Sequence, residues 1–330
     1  MSHDGSKQAI ELVETRRRLR AVKVCIAASL LVCVVEIGLG WFLGLQSLLA
    51  EGIHTFLDGF DSVIVLFAVL MAARPADRSH PYGHGKFEAL GAAVEGSFVM
   101  AAGIAIAYES VGRLIRGEAP PVIPVFVCLV MALASIFYYV ISLYLMREAR
   151  ETKSPAVLAE ALHLRTHIYI TGGLALGLLF GSWTHKPIMD TILAVAVAVC
   201  LVGIALHILR EVYSQFMDES LPESEVEELA VIVQQFGARF VEVHGLRTRR
   251  AGVERHVEMH LVVMPETTVA TAHALGHEIE EAITRKWPAS RTTVHIEPLN
   301  TADSSHREWL KGQPKVRTHD ATPDEREFIH

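Results

Sequence analysis

A chain of 330 residues that is 51% hydrophobic but only 7% aromatic draws its apolar content from Ala, Val, Leu and Ile, the composition of membrane helices rather than of a β-rich core. Its 30 basic and 37 acidic side chains leave a formal charge of -7, which argues against a nucleic-acid binder. The four cysteines (Cys25, Cys33, Cys128 and Cys200) lie in apolar runs with no CxxC pair, which speaks against a disulfide framework and against a cysteine zinc knot.

Residues 1–20 are polar, read as a cytoplasmic tail rather than a signal peptide, because a full-length apolar segment follows them. A spanning helix needs about 20 apolar residues to cross about 30 Å of hydrocarbon. Six segments meet that requirement: 21–45, 47–73, 87–115, 122–146, 155–180 and 187–209. Arg16, Arg17, Arg18, Arg20 and Lys23 precede the first; Arg74, Arg78 and Lys86 lie between the second and third, and Arg147, Arg150 and Lys153 between the fourth and fifth. The opposite loops carry only Arg113, Arg116 and Lys186, so the positive-inside rule puts both termini in the cytoplasm.

After Arg210 the composition turns polar. Residues 223–236 repeat apolar side chains at helical spacing through Val226, Leu229, Ala230 and Val233. Residues 240–249 and 255–264 alternate as half-buried strands do, joined by a hairpin turn at Arg250-Ala251-Gly252. A helix over 269–286 and a strand over 292–297 follow. The order αββαβ predicts a small cytoplasmic α+β domain of ferredoxin-like form, a three-stranded sheet with two helices on one face. The chain thus divides into a tail (1–20), a six-helix membrane α-helical domain (21–210), a cytoplasmic domain (211–300) and a polar tail (301–330) expected to stay disordered.

Ionisable side chains at bilayer depth cost a few kcal/mol each, so each asks for a partner or a task. The second span carries Glu51, His54, Asp58 and Asp61 on one helical face; the fifth carries His163 and His167, four residues apart. A lone histidine in a span is more often an interhelical hydrogen bond than a ligand. Two pairs on two helices together supply four ligands, the number a tetrahedral divalent site takes. Three roles stay open for Asp61: an acceptor that fixes an imidazole tautomer, a proton relay, or an extra ligand. Glu36, Glu95 and Glu109 also lie in spans, with a structural or a pathway role. On the cytoplasmic side, Asp77, His80 and His84 form a three-ligand set in the 2–3 loop. The soluble domain is dense in His244, His256, His260, His273, His277, His295 and Glu297.

These residues resemble the cation diffusion facilitator family of divalent-metal/proton antiporters over about residues 21–298. The resemblance is carried by LAEGIHTFLDGFDS (49–62), RPADRSHPYGHGKFE (74–88), LAEALHLRTH (158–167), FMDESLP (216–222), HGLRTRR (244–250) and VHIEP (294–298). It implies a transport site at His54, Asp58, His163 and His167, and a loop site at Asp77, His80 and His84. It further implies cytoplasmic metal positions at His244, His260, His273, His295 and Glu297. Lys86 and Asp218 match an ion pair that in relatives ties membrane and soluble parts together, and a homodimer is implied as well.

One position departs from the family pattern: His167 stands where relatives usually carry Asp. With neutral imidazoles, Asp58 alone offsets a divalent cation, and Asp61 becomes the candidate compensator. Three nitrogens and one oxygen suit zinc, cobalt, nickel, iron(II) or copper(II) better than manganese, magnesium or calcium. The function expected is export of a divalent transition metal, zinc first, in exchange for protons by alternating access in a lipid bilayer. Divalent metal is then substrate and regulator, with no catalytic cofactor, and the charge balance and polar N-terminus are compatible with a bacterial inner membrane. A membrane-tethered metal sensor without transport is the competing reading. An intramembrane metalloprotease fits poorly, because His163-Leu-Arg-Thr-His167 lacks the glutamate of HExxH.

Overall fold

The computed structural model describes residues 2–117, 125–184, 188–299 and 315–316. The chain folds as two compact units: Leu12–Phe216, and a second made up of the residues before Leu12 together with those from Met217 on.

The first unit is helical: α1 (Ser2–Leu43), α2 (Gln46–Ala72), α3 (Lys86–Arg116), α4 (Val125–Thr152), α5 (Pro155–Thr184) and α6 (Ile188–Phe216). Among the described residues, five stretches are long and apolar enough to cross a membrane: Leu12–Leu43, Glu51–Ala72, Lys86–Arg116, Phe126–Thr152 and Ile192–Phe216. α5, with 30 residues, has the length of a sixth. Each expected span therefore corresponds to one helix. Two helices run past the expected boundaries. α1 starts at Ser2 and continues through the expected tail into the first span; past Gly5 that stretch is rich in helix-forming Ala, Leu, Glu and Arg, with nothing to stop it. α6 likewise continues beyond Arg210 to Phe216, and the compact units divide after it.

A buried polar contact fastens three of these helices at one end. Arg18 of α1 donates through Nη1 to Glu88 of α3. The other Glu88 oxygen accepts from the Ser154 hydroxyl, which also accepts from the Val157 N–H at 3.3 Å and so caps α5. Arg18 is 5% exposed and Glu88 0%. Glu88→Ala strands a buried guanidinium and is expected to destabilise the unit by about 3–5 kcal/mol. Glu88→Gln, which keeps an acceptor for Ser154, is expected to lose less. Thermal unfolding of the full chain in micelles reads both, and a Glu88→Ala protein that melts with wild type would overturn the assignment.

The second unit holds α7 (Glu223–Gln234), β1 (Glu242–Ala251), β2 (Glu254–Val263), α8 (Val269–Lys286), β3 (Ser290–Pro298) and β4 (Lys315–Val316). The sheet order is β3-β2-β1-β4, with β1 and β2 an antiparallel hairpin, β3 parallel to β2 and β4 parallel to β1. The αββαβ order is as expected. The fourth strand is the addition: two residues of the polar tail pair with Glu242 and Val243. The rest of 301–330, expected to be disordered, lies outside the described residues.

Val257, Met259, Leu261 and Val263 of β2 pack with Leu229 and Val233 of α7 and Leu275, Ile279 and Ile283 of α8. Strand periodicity then turns His256, Glu258 and His260 to the other face of the sheet.

At the start of α7, Glu225 accepts from Arg250 at 2.8 Å and from Arg255 at 2.9 Å. Burial alone would raise its carboxyl, but the hydrogen bond from Arg255 and the neighbouring charges of Arg250 and Arg255 outweigh it and hold the group down at about 2. An unfolded glutamate titrates near ~4.3. The stabilisation is therefore fully present above that value and is lost as pH falls toward 2. Glu225→Gln is expected to melt below wild type at neutral pH, with the gap closing between about pH 4 and pH 2. A gap that does not change with pH would count against the ion pair as its source.

Candidate metal centre

Two groups of ionisable side chains lie where α2, α3 and α5 of the membrane unit meet. Asp58, His163 and His167 bring one ligand atom each to within 4.8 Å of one another. His167 Nε2 lies 3.6 Å from Asp58 Oδ2, and His54 Nε2 lies 3.8 Å from the same oxygen. That oxygen is buried and makes no hydrogen bond among the described residues. These separations are too long for hydrogen bonds and close to the ~3.3 Å edge of a tetrahedron whose ligands stand about 2.0 Å from a central ion.

His54 is 58% exposed and approaches Asp58, but it is not in the group formed by Asp58, His163 and His167, so of the four expected transport-site residues three converge and the fourth stands at the rim. A cavity of about 580 Å³ opens on the group, walled by Phe98, Val99 and Ala102 of α3. The site is held from behind. Tyr138 of α4 lies over His167 with ring centroids 4.6 Å apart, and the Ser135 hydroxyl donates to the His167 carbonyl at 3.3 Å.

Asp61 is placed one turn from Asp58, in a second group with Glu95 and His163 whose ligand atoms again lie within 4.8 Å. Glu95 Oε1 is 2.6 Å from His163 Nδ1. Glu95 was legible in the sequence as a carboxylate within a span, but the helix face it occupies was not. Glu160, one turn before His163, is a buried carboxylate for which the sequence reading sets no role: its Oε1 accepts from Ser62 at 2.5 Å and from Cys25 at 2.8 Å, all three buried. The signal available was an acidic residue within an apolar run.

In the loop between α2 and α3, Asp77, His80 and His84 form the expected triple. His80 Nδ1 is 3.3 Å from Asp77 Oδ1, His84 Nε2 is 3.5 Å from Asp77 Oδ2, and the two rings lie 4.3 Å apart. Backbone N–H donation from His80 and the Ser79 hydroxyl hold the Asp77 carboxyl down at about 2, so it is ionised across the neutral range. Lys86 opens α3 directly after this loop.

In the second unit the strand register does the gathering. His244 of β1 stands opposite His260 of β2, which stands opposite His295 of β3. Glu297, two residues on, lies on the same face: its carboxylate is 3.5 Å from His244 Nε2, 2.8 Å from His260 Nδ1 and 3.6 Å from His295 Nε2. A bulge follows His244, and Gly245 takes φ +60 there. A Cβ at that position would meet the His260 ring at 3.3 Å, so glycine serves both the bulge and the ring. His273 does not join this group; on α8 it meets the His277 ring edge-on, with centroids 4.8 Å apart. Asp218 lies 3.2 Å from Arg249 of the same unit.

Residues 22–217 match the family described as cation efflux transmembrane domain, and residues 221–299 match cation efflux protein, cytoplasmic domain. The transporter sll1263 of Synechocystis is 28% identical over 279 residues, 84% of this chain and 90% of that one. The cation-efflux pump FieF of Klebsiella pneumoniae strain 342 is 28% identical over 296 residues, 88% of this chain and 96% of that one. A solved structure of CzrB in its zinc form is 44% identical, covering 24% of this chain and 92% of that one, with a TM-score of 0.24.

Proposed function

This chain belongs to the cation diffusion facilitator family, whose business is metal cation efflux, and from that premise we propose that it exports a divalent transition metal, zinc first, in exchange for protons. The observation that carries the reading is the Asp58 Oδ2 atom: buried, without a hydrogen bond among the described residues, and flanked by imidazole nitrogens at 3.6 and 3.8 Å. His54, Asp58, His163 and His167 hold the substrate ion. An imidazole-rich set favours zinc, cobalt, nickel or iron(II) over manganese or calcium.

Metal binds neutral imidazole and carboxylate, so loading releases protons and protonation expels metal. An ordinary histidine titrates near ~6.5, which lets modest pH differences across a membrane drive the exchange. His244, His260, His295 and Glu297 bind cytoplasmic metal and report it, and Asp77, His80 and His84 bind metal at the loop. The chain works as a homodimer in a bacterial inner membrane with both termini cytoplasmic.

The test is metal-dependent proton flux in proteoliposomes with an imposed pH gradient, run with Zn, Co, Ni, Fe(II), Cd and Mn. Uptake with opposite proton flow supports the antiporter, with zinc ranked first. Absence of flux for every metal, with binding intact, would make a membrane-tethered sensor the better reading.

A further inference from the structure

We propose that Asp61, Glu95 and His163 form a second divalent-cation site, one helical turn from the transport set and specialised for a harder ion environment. The inference rests on the transport reading above for its role, though not for its existence. Three helices build the group: Asp61 from α2, Glu95 from α3 and His163 from α5, with their ligand atoms within 4.8 Å of one another.

Glu95 gives the group its direction. It is 1% exposed, and its Oε2 makes no hydrogen bond among the described residues. The Oε1 atom lies 2.6 Å from His163 Nδ1, the one basic group beside it in the cluster. A carboxylate so buried, with an oxygen left over and a second carboxylate next to it, is costly unless a cation completes the set. A divalent ion does so, because Asp61 and Glu95 together balance it.

The chemistry differs from that of the neighbouring group. Asp58 with His163 and His167 offers two nitrogens and one oxygen, and so do Asp77 with His80 and His84, and His244 with His260 and Glu297. Among the described groups, Asp61–Glu95–His163 is the one in which carboxylates outnumber imidazoles. Carboxylate-rich sets accept manganese and other oxygen-seeking ions that imidazole-rich sets hold poorly.

The placement gives a role. Asp61 follows Asp58 along α2, and His163 precedes His167 along α5, so the second group lies toward the ends of these helices that meet the 2–3 and 4–5 loops. It is a charge-balanced stop beside the imidazole-rich site. His163 belongs to both groups, so an ion passing between them exchanges two side chains and keeps one residue in common.

Manganese(II) is the probe, read as the fall of the free-ion electron paramagnetic resonance signal on titrating the full chain in micelles. Wild type is expected to show one Mn(II) site that weakens at least about tenfold in Glu95→Gln and in Asp61→Asn. The same site is expected to persist in Asp58→Asn and His167→Ala, and to return in part in Glu95→Asp. Size-exclusion profiles identify any variant that fails to fold; Asp61→Asn and Glu95→Gln each carry the test independently. Unchanged Mn(II) binding in both variants would overturn the proposal, as would equal loss in His167→Ala. Failure of the transport reading looks different: His167→Ala would transport normally whatever Mn(II) binding does.

Discussion

Asp58→Asn is expected to abolish metal transport, lowering flux by about 100-fold or more, the equivalent of about 3 kcal/mol lost at the bound ion. Asp58 is the one carboxylate in a group otherwise made of His163 and His167, with His54 at its rim. Replacing it with an amide leaves neutral ligands around a divalent charge in a poorly solvated place, where the cost of an unbalanced ion is greatest. The amide is nearly the same size, so the helices should pack as before. Flux in proteoliposomes is the measurement, with micellar melting to confirm the fold. Flux within threefold of wild type would remove Asp58 from the transport site.

His167→Asp is the second large effect, and it acts on selectivity rather than on activity alone. Exchanging an imidazole for a carboxylate makes the set two nitrogens and two oxygens when His54 is counted, and balances a divalent ion. Zinc-to-manganese discrimination is expected to fall by about tenfold, since oxygen ligands narrow the preference for borderline metals. Fewer imidazoles also leave fewer protons to exchange near neutrality, so the flux should depend less steeply on pH than in wild type. The substitution also removes the ring that Tyr138 covers at 4.6 Å, so Asn at the same position is the control for lost packing. Equal steepness in wild type and His167→Asp would detach His167 from proton coupling.

Much of this architecture can be read from side-chain order alone, because solvent imposes it. A helix in lipid has to be apolar for its full length, and each apolar run of the sequence became one helix. α8 starts and stops at Val269 and Lys286, where amphipathic periodicity begins and ends and where Thr268 accepts from the Thr271 N–H at 3.2 Å. Ligand spacing on one helix is equally legible: Asp58 and Asp61, or His163 and His167, share a face by geometry.

What periodicity cannot say is which faces meet. Glu95 lies on a different helix from the residues it joins, and only packing puts it 2.6 Å from His163. The β1 bulge is a second case. Strict alternation over 240–249 would set His244 on the same side as Leu246. The extra residue at Gly245 separates them, leaving Leu246 against the helices and His244 beside His260. The start of α1 shows the reverse difficulty: polar composition suggested a tail, yet helix propensity does not depend on polarity.

The contact among Arg18, Glu88 and Ser154 has a kinematic consequence. It joins α1, α3 and the first turn of α5 through groups with almost no access to water. Pulling any two of these elements apart would strand a charge in a place that cannot solvate it. A gate that opened by such a separation would have to climb that barrier in every cycle. The three should instead travel as one block, with tilting confined to their far ends or to the helices they slide against. Cross-linking α1 to α3 near Arg18 should therefore leave turnover intact, whereas the same link at the opposite end of the bundle should stop it.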